Sequence, residues 1–241
     1  MELTTKAVAL RATDYKENDK YVLLYSLEYG KISVLARGIR KGSAKLRFAA
    51  DQFCFGQYEL AQTGDRFTLK TCEQLESFYS LREDILVYYA ACVIAESIIN
   101  YTEEGQSEPP IFVETLRALQ SLSCGTDPLR VTLRFMLKFF ELNGIKLALN
   151  KCIVCGNSGG RYFLSLQKGG LVCDNCRETD DKTVTARALA LCKMVDGIDY
   201  ERLVNINTST DVLKESLTLC YRYISNSYFP LKCLLELIKL A

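Results

Sequence analysis

The stretch T5-KAVALRATDYKENDKYVLLYSLEYGKISVLAR-G38 decides how the chain begins. Three apolar, β-branched runs stand in it: Thr5–Ala12, Tyr21–Leu27 and Lys31–Gly38. EYGK, with its glycine, marks a tight turn between the second and third. Two more such runs follow, Gln52–Gln62 and Phe67–Leu75, with TGD as the turn between them. Five short strands in roughly the first 80 residues predict a small closed barrel. The five-stranded OB-fold is the leading candidate, and an SH3-like barrel satisfies the same pattern.

From Leu81 the apolar spacing becomes helical. Leu81–Tyr101 reads as one long helix, and Pro109-Pro110 opens a second that runs through Ser121. Asp127 followed by Pro128 is an N-cap and first-turn signal, and that helix stops at Asn143-Gly144. Helical spacing returns over Thr185–Val195, Asp211–Ser225 and Pro230–Leu240. The expected class is therefore α+β. Its expected parts are a barrel (1–80), a first helical part (81–150), a cysteine-rich insert (151–178) and a second helical part (179–241).

The insert reads CIVCGNSGGRYFLSLQKGGLVCDNC. Cys152, Cys155, Cys173 and Cys176 make C-x2-C-x17-C-x2-C. Each CxxC turn aims two sulfurs at one point, and the glycines and the YFLSL run between the pairs read as a hairpin. Four thiolates suit a structural zinc ion, because a closed four-sulfur site keeps no open position for water. An iron–sulfur cluster uses the same donor set. Paired disulfides belong to oxidising compartments, and MELTTKAVAL shows no secretory pattern. A cytoplasmic protein is the expectation. The other seven of the eleven cysteines lie in apolar segments and read as small buried hydrophobes.

Charge is close to balanced over the 241 residues, with a formal net of +1. It is not evenly spread. Lys31, Arg37, Arg40, Lys41, Lys45 and Arg47 fall within residues 31–50, where no acidic residue occurs. Such a cluster suits phosphate neutralisation. Gly38 and Gly42 predict a flexible loop between the third and fourth strands. Tyr29 and Phe48 flank it and fit barrel core better than base platforms. A second set, Arg130, Arg134 and Lys138, recurs at every fourth position and so shares one helix face. It reads as a solvated face or as a site for an anion or an acidic peptide. The chain has no histidine, which excludes Ser–His–Asp and Cys–His catalysis. A nuclease would need clustered carboxylates for metal, and the barrel shows no DxD or ExK run. The alternative to a DNA-binding barrel is a protein adaptor whose ribbon docks a partner.

The order of parts, and several residues within them, resemble the RecO family of bacterial recombination mediators. The matching positions are Asp14, Tyr15, Glu17, Asp19, Ser26, Gly30, Lys31, Ala36, Gly38, Arg40 and Lys41, together with the run DPLRVTLRFMLKFFELNGIKLALNKCIVCG. The resemblance implies a non-enzymatic role in DNA repair. It implies binding of single- and double-stranded DNA, strand annealing, and partnership with RecR in loading RecA onto strands coated by single-strand-binding protein. Carried onto this chain, Arg37, Arg40, Lys41, Lys45 and Arg47 would contact DNA, with Lys31 a weaker member. For the acidic tail of single-strand-binding protein the resemblance implies only a site in the helical part, and it is helix geometry that suggests Arg130, Arg134 and Lys138 there. The cofactor would be one structural Zn2+ per chain, with no membrane partner and a nucleoid-associated location.

Overall fold

The structure is a computed structural model that describes residues 1–227 and 230–241. Two compact units are present: Met1–Glu83 with Ala95–Val113, and Asp84–Ile94 with Glu114–Ala241. Helices α1 (Ile85–Tyr101) and α2 (Pro109–Ser123) are each shared between the units. Residues Ala95–Val113, placed with the helical part on sequence pattern, thus cluster with the barrel.

The first unit is a closed five-stranded barrel of β1 (Glu2–Tyr15), β2 (Asp19–Ser26), β3 (Gly30–Ala36), β4 (Phe55–Thr63) and β5 (Arg66–Glu76). The order around the barrel is β1-β2-β3-β5-β4, and only β3 with β5 runs parallel. This is the OB-fold arrangement expected from the strand count. Alternating residues fill it: Ala7, Ala9, Val22, Leu24, Ile32, Val34, Tyr58 and Leu60 all lie in one core. Strand β1 is long enough to serve two partners because a bulge between Ala9 and Arg11 bends it. Tyr29 and Phe48 pack on this core, as their flanking positions suggested.

Gly30 sits at φ +60°, and a Cβ there would lie 1.9 Å from the carbonyl oxygen of Gln106. Only glycine fits that approach. Next to it, Lys31 is 8% exposed. Its ammonium donates to the carbonyls of Ile99 and Thr102, both at 2.7 Å, at the C-terminal end of α1. Burial lowers the Lys31 pKa, and nearby Glu104 partly offsets this.

The second unit holds α3 (Pro128–Leu142), α4 (Ala186–Asp196), α5 (Thr210–Ser227) and α6 (Lys232–Leu240). Asp127 caps α3 as the sequence indicated, its side chain accepting from the backbone N–H of Arg130 at 3.0 Å. Thr185 caps α4 in the same way. Helix α3 is buried on nearly all sides, with Phe135, Met136, Phe139 and Phe140 at 0% exposure. Also in this unit is a small sheet of β6 (Tyr162–Ser165), β7 (Gly170–Cys173) and β8 (Lys182–Val184), in the order β7-β6-β8. The hairpin was legible in the sequence; the three-residue β8 was too short to be.

Among the apolar side chains of α3 lies one ion pair. Arg134 Nη1 stands 3.3 Å from Glu114 Oε1, and the hydroxyl of Tyr200 donates to that oxygen at 2.7 Å. The guanidinium also donates to the Ile198 carbonyl and lies 5.4 Å from the Tyr200 ring centroid. Removing one member leaves a buried charge without its partner, which costs about 3–5 kcal/mol. Arg134→Met should therefore lower unfolding stability by about that amount in urea titrations. A change below about 1 kcal/mol would contradict a structural role for the pair.

Candidate nucleic-acid interface and metal centre

Strand β3 ends at Ala36, and the chain then leaves the barrel as the basic loop. The loop is built of hydrogen-bonded turns. Lys41 N–H donates to Gly38 O at 3.1 Å and Ala44 N–H to Lys41 O at 3.0 Å, so successive turns build it. It closes in a short 3-10 helix, Arg47–Ala50, whose Ala49 and Ala50 join the barrel core with Ile39. Tyr58 fixes that helix by donating its hydroxyl to Ala49 O at 3.1 Å. The glycines that suggested mobility instead serve tight turns, with Gly38 at φ +65°.

A second set of bonds ties the loop to the β1–β2 hairpin. Gly38 N–H donates to Asp19 Oδ1 at 2.7 Å, and Arg40 N–H donates to Asn18 O at 3.0 Å. The Arg40 guanidinium lies 3.3 Å from Asp14, which also faces Lys20 at 3.8 Å. Two acidic residues of this hairpin, Asp14 and Asp19, are thus engaged by the loop they adjoin.

Arg37, Arg40, Lys41, Lys45 and Arg47 are all exposed and stand on this one loop. A hollow of about 510 Å³ belongs to the other unit, but one of about 470 Å³ lies under the loop itself. Arg37, Lys45, Leu46, Leu69 and Lys70 line the latter. Lys70 comes from β5 and was not legible as a member, since only barrel closure brings it beside the loop. Lys31 does not belong to this surface. Its charge is directed into the fold and held by the two α1 carbonyls.

The helix stripe also differs from its sequence reading. Arg134 is buried in the ion pair described above. Arg130 is half-buried and donates to Leu203 O at 3.4 Å. Lys138 is partly exposed and pairs with Glu141 at 2.8 Å. Helical spacing puts the three on one face, which is turned partly inward: Arg134 serves the fold, while Arg130 and Lys138 keep part of their side chains in solvent.

The cysteine pairs do converge. The sulfurs of Cys152, Cys155, Cys173 and Cys176 all lie within 4.8 Å of one another, and those of Cys155 and Cys173 are 3.7 Å apart. A tetrahedral ion with bonds of about 2.3 Å needs sulfur–sulfur edges of about 3.8 Å. The donor set therefore fits a metal ion. The first knuckle is closed by Gly156 N–H donating to Cys152 O at 2.9 Å, with Gly156 at φ +74°. The second is closed by Cys176 N–H donating to Cys173 O at 3.0 Å. Desolvation works against ionisation of Cys152, but backbone N–H groups around its sulfur bring its pKa down to about 6. Around the second knuckle Lys168 pairs with Glu178 at 2.7 Å and Arg177 with Asp174 at 3.0 Å.

An OB-fold barrel with a cationic loop, joined to helices that carry a four-thiol ribbon, is the class these features define. Comparison with known proteins narrows it. Residues 1–78 match the family profile "Recombination protein O N terminal", and residues 82–233 match "Recombination protein O C terminal". The DNA repair protein RecO of Bacillus subtilis is 31% identical, over 96% of this chain and 92% of its own length. The DNA repair protein RecO of Clostridium novyi is 30% identical, over 93% and 88%. That of Listeria monocytogenes is 28% identical, over 92% and 89%. The chain belongs to the RecO family. Among the described residues no helix is long and apolar enough to cross a membrane.

Thiols must lose their protons to bind a metal, so binding releases protons and weakens as pH falls. With cobalt(II) as a visible probe in chelator competition, affinity should drop by roughly tenfold per pH unit for each proton displaced. Affinity that does not change between pH 8 and pH 6 would contradict four-thiolate ligation.

Proposed function

We propose that this protein is a DNA repair and recombination mediator that works by binding and performs no turnover. The carrying observation is the single loop that presents Arg37, Arg40, Lys41, Lys45 and Arg47 to solvent on an OB-fold barrel. Family membership supports the same reading. The loop contacts single- and double-stranded DNA through phosphates, and such contacts carry no sequence preference. Cations between two strands screen their repulsion, which is the physical basis for annealing complementary strands. With RecR, the protein then helps load RecA onto strands coated by single-strand-binding protein, in the cytoplasm at the nucleoid.

The four cysteines hold one structural Zn2+. All four sulfurs are taken up by ligation, so the ion's contribution is to fold the ribbon. The acidic tail of single-strand-binding protein binds the helical unit. Arg130 and Lys138, the two stripe members with side chains partly in solvent, are its candidate contacts, and Arg134 supports them from within the fold.

The test uses fluorescence anisotropy of a labelled single strand and of a duplex. The triple variant Arg37→Ala, Arg40→Ala, Lys41→Ala should bind both at least about tenfold more weakly while keeping its fold. Lys31→Met should do the reverse. It should lose about 2 kcal/mol of stability, for the helix-end hydrogen bonds, and keep its DNA affinity. A triple variant that binds as the native chain does would overturn the reading.

A further inference from the structure

The basic loop leaves the barrel alongside the β1–β2 hairpin. Pairing of β2 with β3 ends at Lys20 and Ala36. Past that point the two chains stay together by other means. The residue before Lys20 is Asp19, the first of β2, and its Oδ1 accepts from Gly38 N–H at 2.7 Å. One residue further back, Asn18 O accepts from Arg40 N–H at 3.0 Å. The hairpin therefore guides the loop as far as Arg40, beyond the last backbone pair of the two strands.

Gly38 is where the loop changes course. Its backbone is left-handed, and Lys41 N–H donates back to its carbonyl at 3.1 Å, which closes a four-residue turn. Ile39, inside that turn, is buried in the barrel core. Arg37 stands immediately before the turn, and Arg40 and Lys41 stand within it. Three of the loop cations thus take their places from a turn whose first amide is held by Asp19. The hairpin also receives the Arg40 side chain, whose Nη1 lies 3.3 Å from Asp14 Oδ2 and 3.5 Å from Lys16 O.

A carboxylate at this place has two effects of opposite sign. Its negative charge lies beside a cationic surface and repels a polyanion. On charge alone, removing it strengthens DNA binding. On geometry, removing it takes the acceptor away from Gly38 N–H and releases the start of the turn. A hydrogen bond from a backbone N–H to an ionised carboxylate is roughly twice as strong as a neutral one, so the geometric effect is the larger. Asp14 differs in kind, because it meets the loop through the Arg40 side chain and holds no backbone amide of the loop.

We propose that Asp19 is a positioning residue of the nucleic-acid surface: its carboxylate, bonded to Gly38 N–H, sets the turn that presents Arg37, Arg40 and Lys41 to phosphates. It does so although its own charge repels them, and it acts through the loop without touching DNA. The inference rests on the DNA reading of that loop and deepens it.

The experiment titrates a labelled oligothymidylate across a salt series with the full chain, Asp19→Ala, Asp19→Asn and the triple loop variant. Asparagine keeps an acceptor oxygen for Gly38 and drops the charge. Asp19→Ala should bind at least about fivefold more weakly. Its salt slope should be shallower by about 0.7 or more, the share of one phosphate. Asp19→Asn should bind at least as tightly as the native chain. A variant that is merely less folded has less active protein but an unchanged slope, so the slope separates positioning from destabilisation. Amide hydrogen exchange over residues 38–41 should quicken in Asp19→Ala and stay near native in Asp19→Asn. Where alanine impairs folding, Asp19→Val, a stronger strand former with no acceptor, takes its place with the same expected result. Asp19→Ala binding as tightly as the native chain or tighter overturns the proposal, as does an equal loss in Asp19→Ala and Asp19→Asn. If Asp19→Ala binds normally while the triple loop variant fails, the positioning role is wrong and the DNA reading stands. If the triple loop variant also binds normally, the DNA reading falls and the positioning role falls with it.

Discussion

One buried ammonium fixes where the cationic loop starts. Helix α1 ends with carbonyls that have no partner within the helix, and buried carbonyls need one. Lys31 supplies it, from the second residue of β3. The neighbouring backbone completes the joint. Gly105 N–H donates to Lys31 O at 3.0 Å, and Ser107 donates its hydroxyl to Leu27 O at 2.6 Å. Gly30 leaves the room that Gln106 needs. The β2–β3 turn and the segment after α1 are therefore one piece of structure. Strand β3 is held at its start, and the loop issues from its other end, after Ala36.

From that origin the loop is kept in place by local bonds. Its turns are internally hydrogen-bonded, its closing 3-10 helix is part of the core, and the β1–β2 hairpin accepts its backbone N–H groups. Five cations are thereby displayed on a hydrogen-bonded frame that packs on the barrel core. The ribbon solves a different problem. A sheet of two four-residue strands and one three-residue strand has little core of its own, and four thiols around a single ion supply what packing does not. Two cations near the cysteines, Lys168 and Arg177, are paired with acids of the same segment.

Sequence patterns that act locally were legible. Apolar, β-branched runs between turn signals gave the five strands, Asp127-Pro128 gave a helix start, and CxxC spacing gave the metal-competent cluster. What failed to show was burial set by distant parts of the chain. Lys31 and Arg134 read as surface cations because residues around them in sequence are consistent with that, yet Ile99 and Thr102 claim the first, and Glu114 and Tyr200 the second. The outward direction of Tyr15 beside Tyr21 depends on the bulge in β1, and a bulge leaves no clear mark in the alternation of TKAVALRATDY. The flanking aromatics Tyr29 and Phe48 pack on the core, as the sequence reading favoured.

The central claim is that the loop cations themselves neutralise phosphates, and the salt dependence of single-strand binding tests it most directly. The slope of log K against log salt counts the phosphates neutralised, at about −0.7 for each on a single strand. Engagement of all five loop cations predicts a slope of about −3.5 for the native chain. Neutralising Arg37, Arg40 and Lys41 should make it shallower by about 2. A native slope near zero, or one that the three substitutions leave unchanged, would contradict the account.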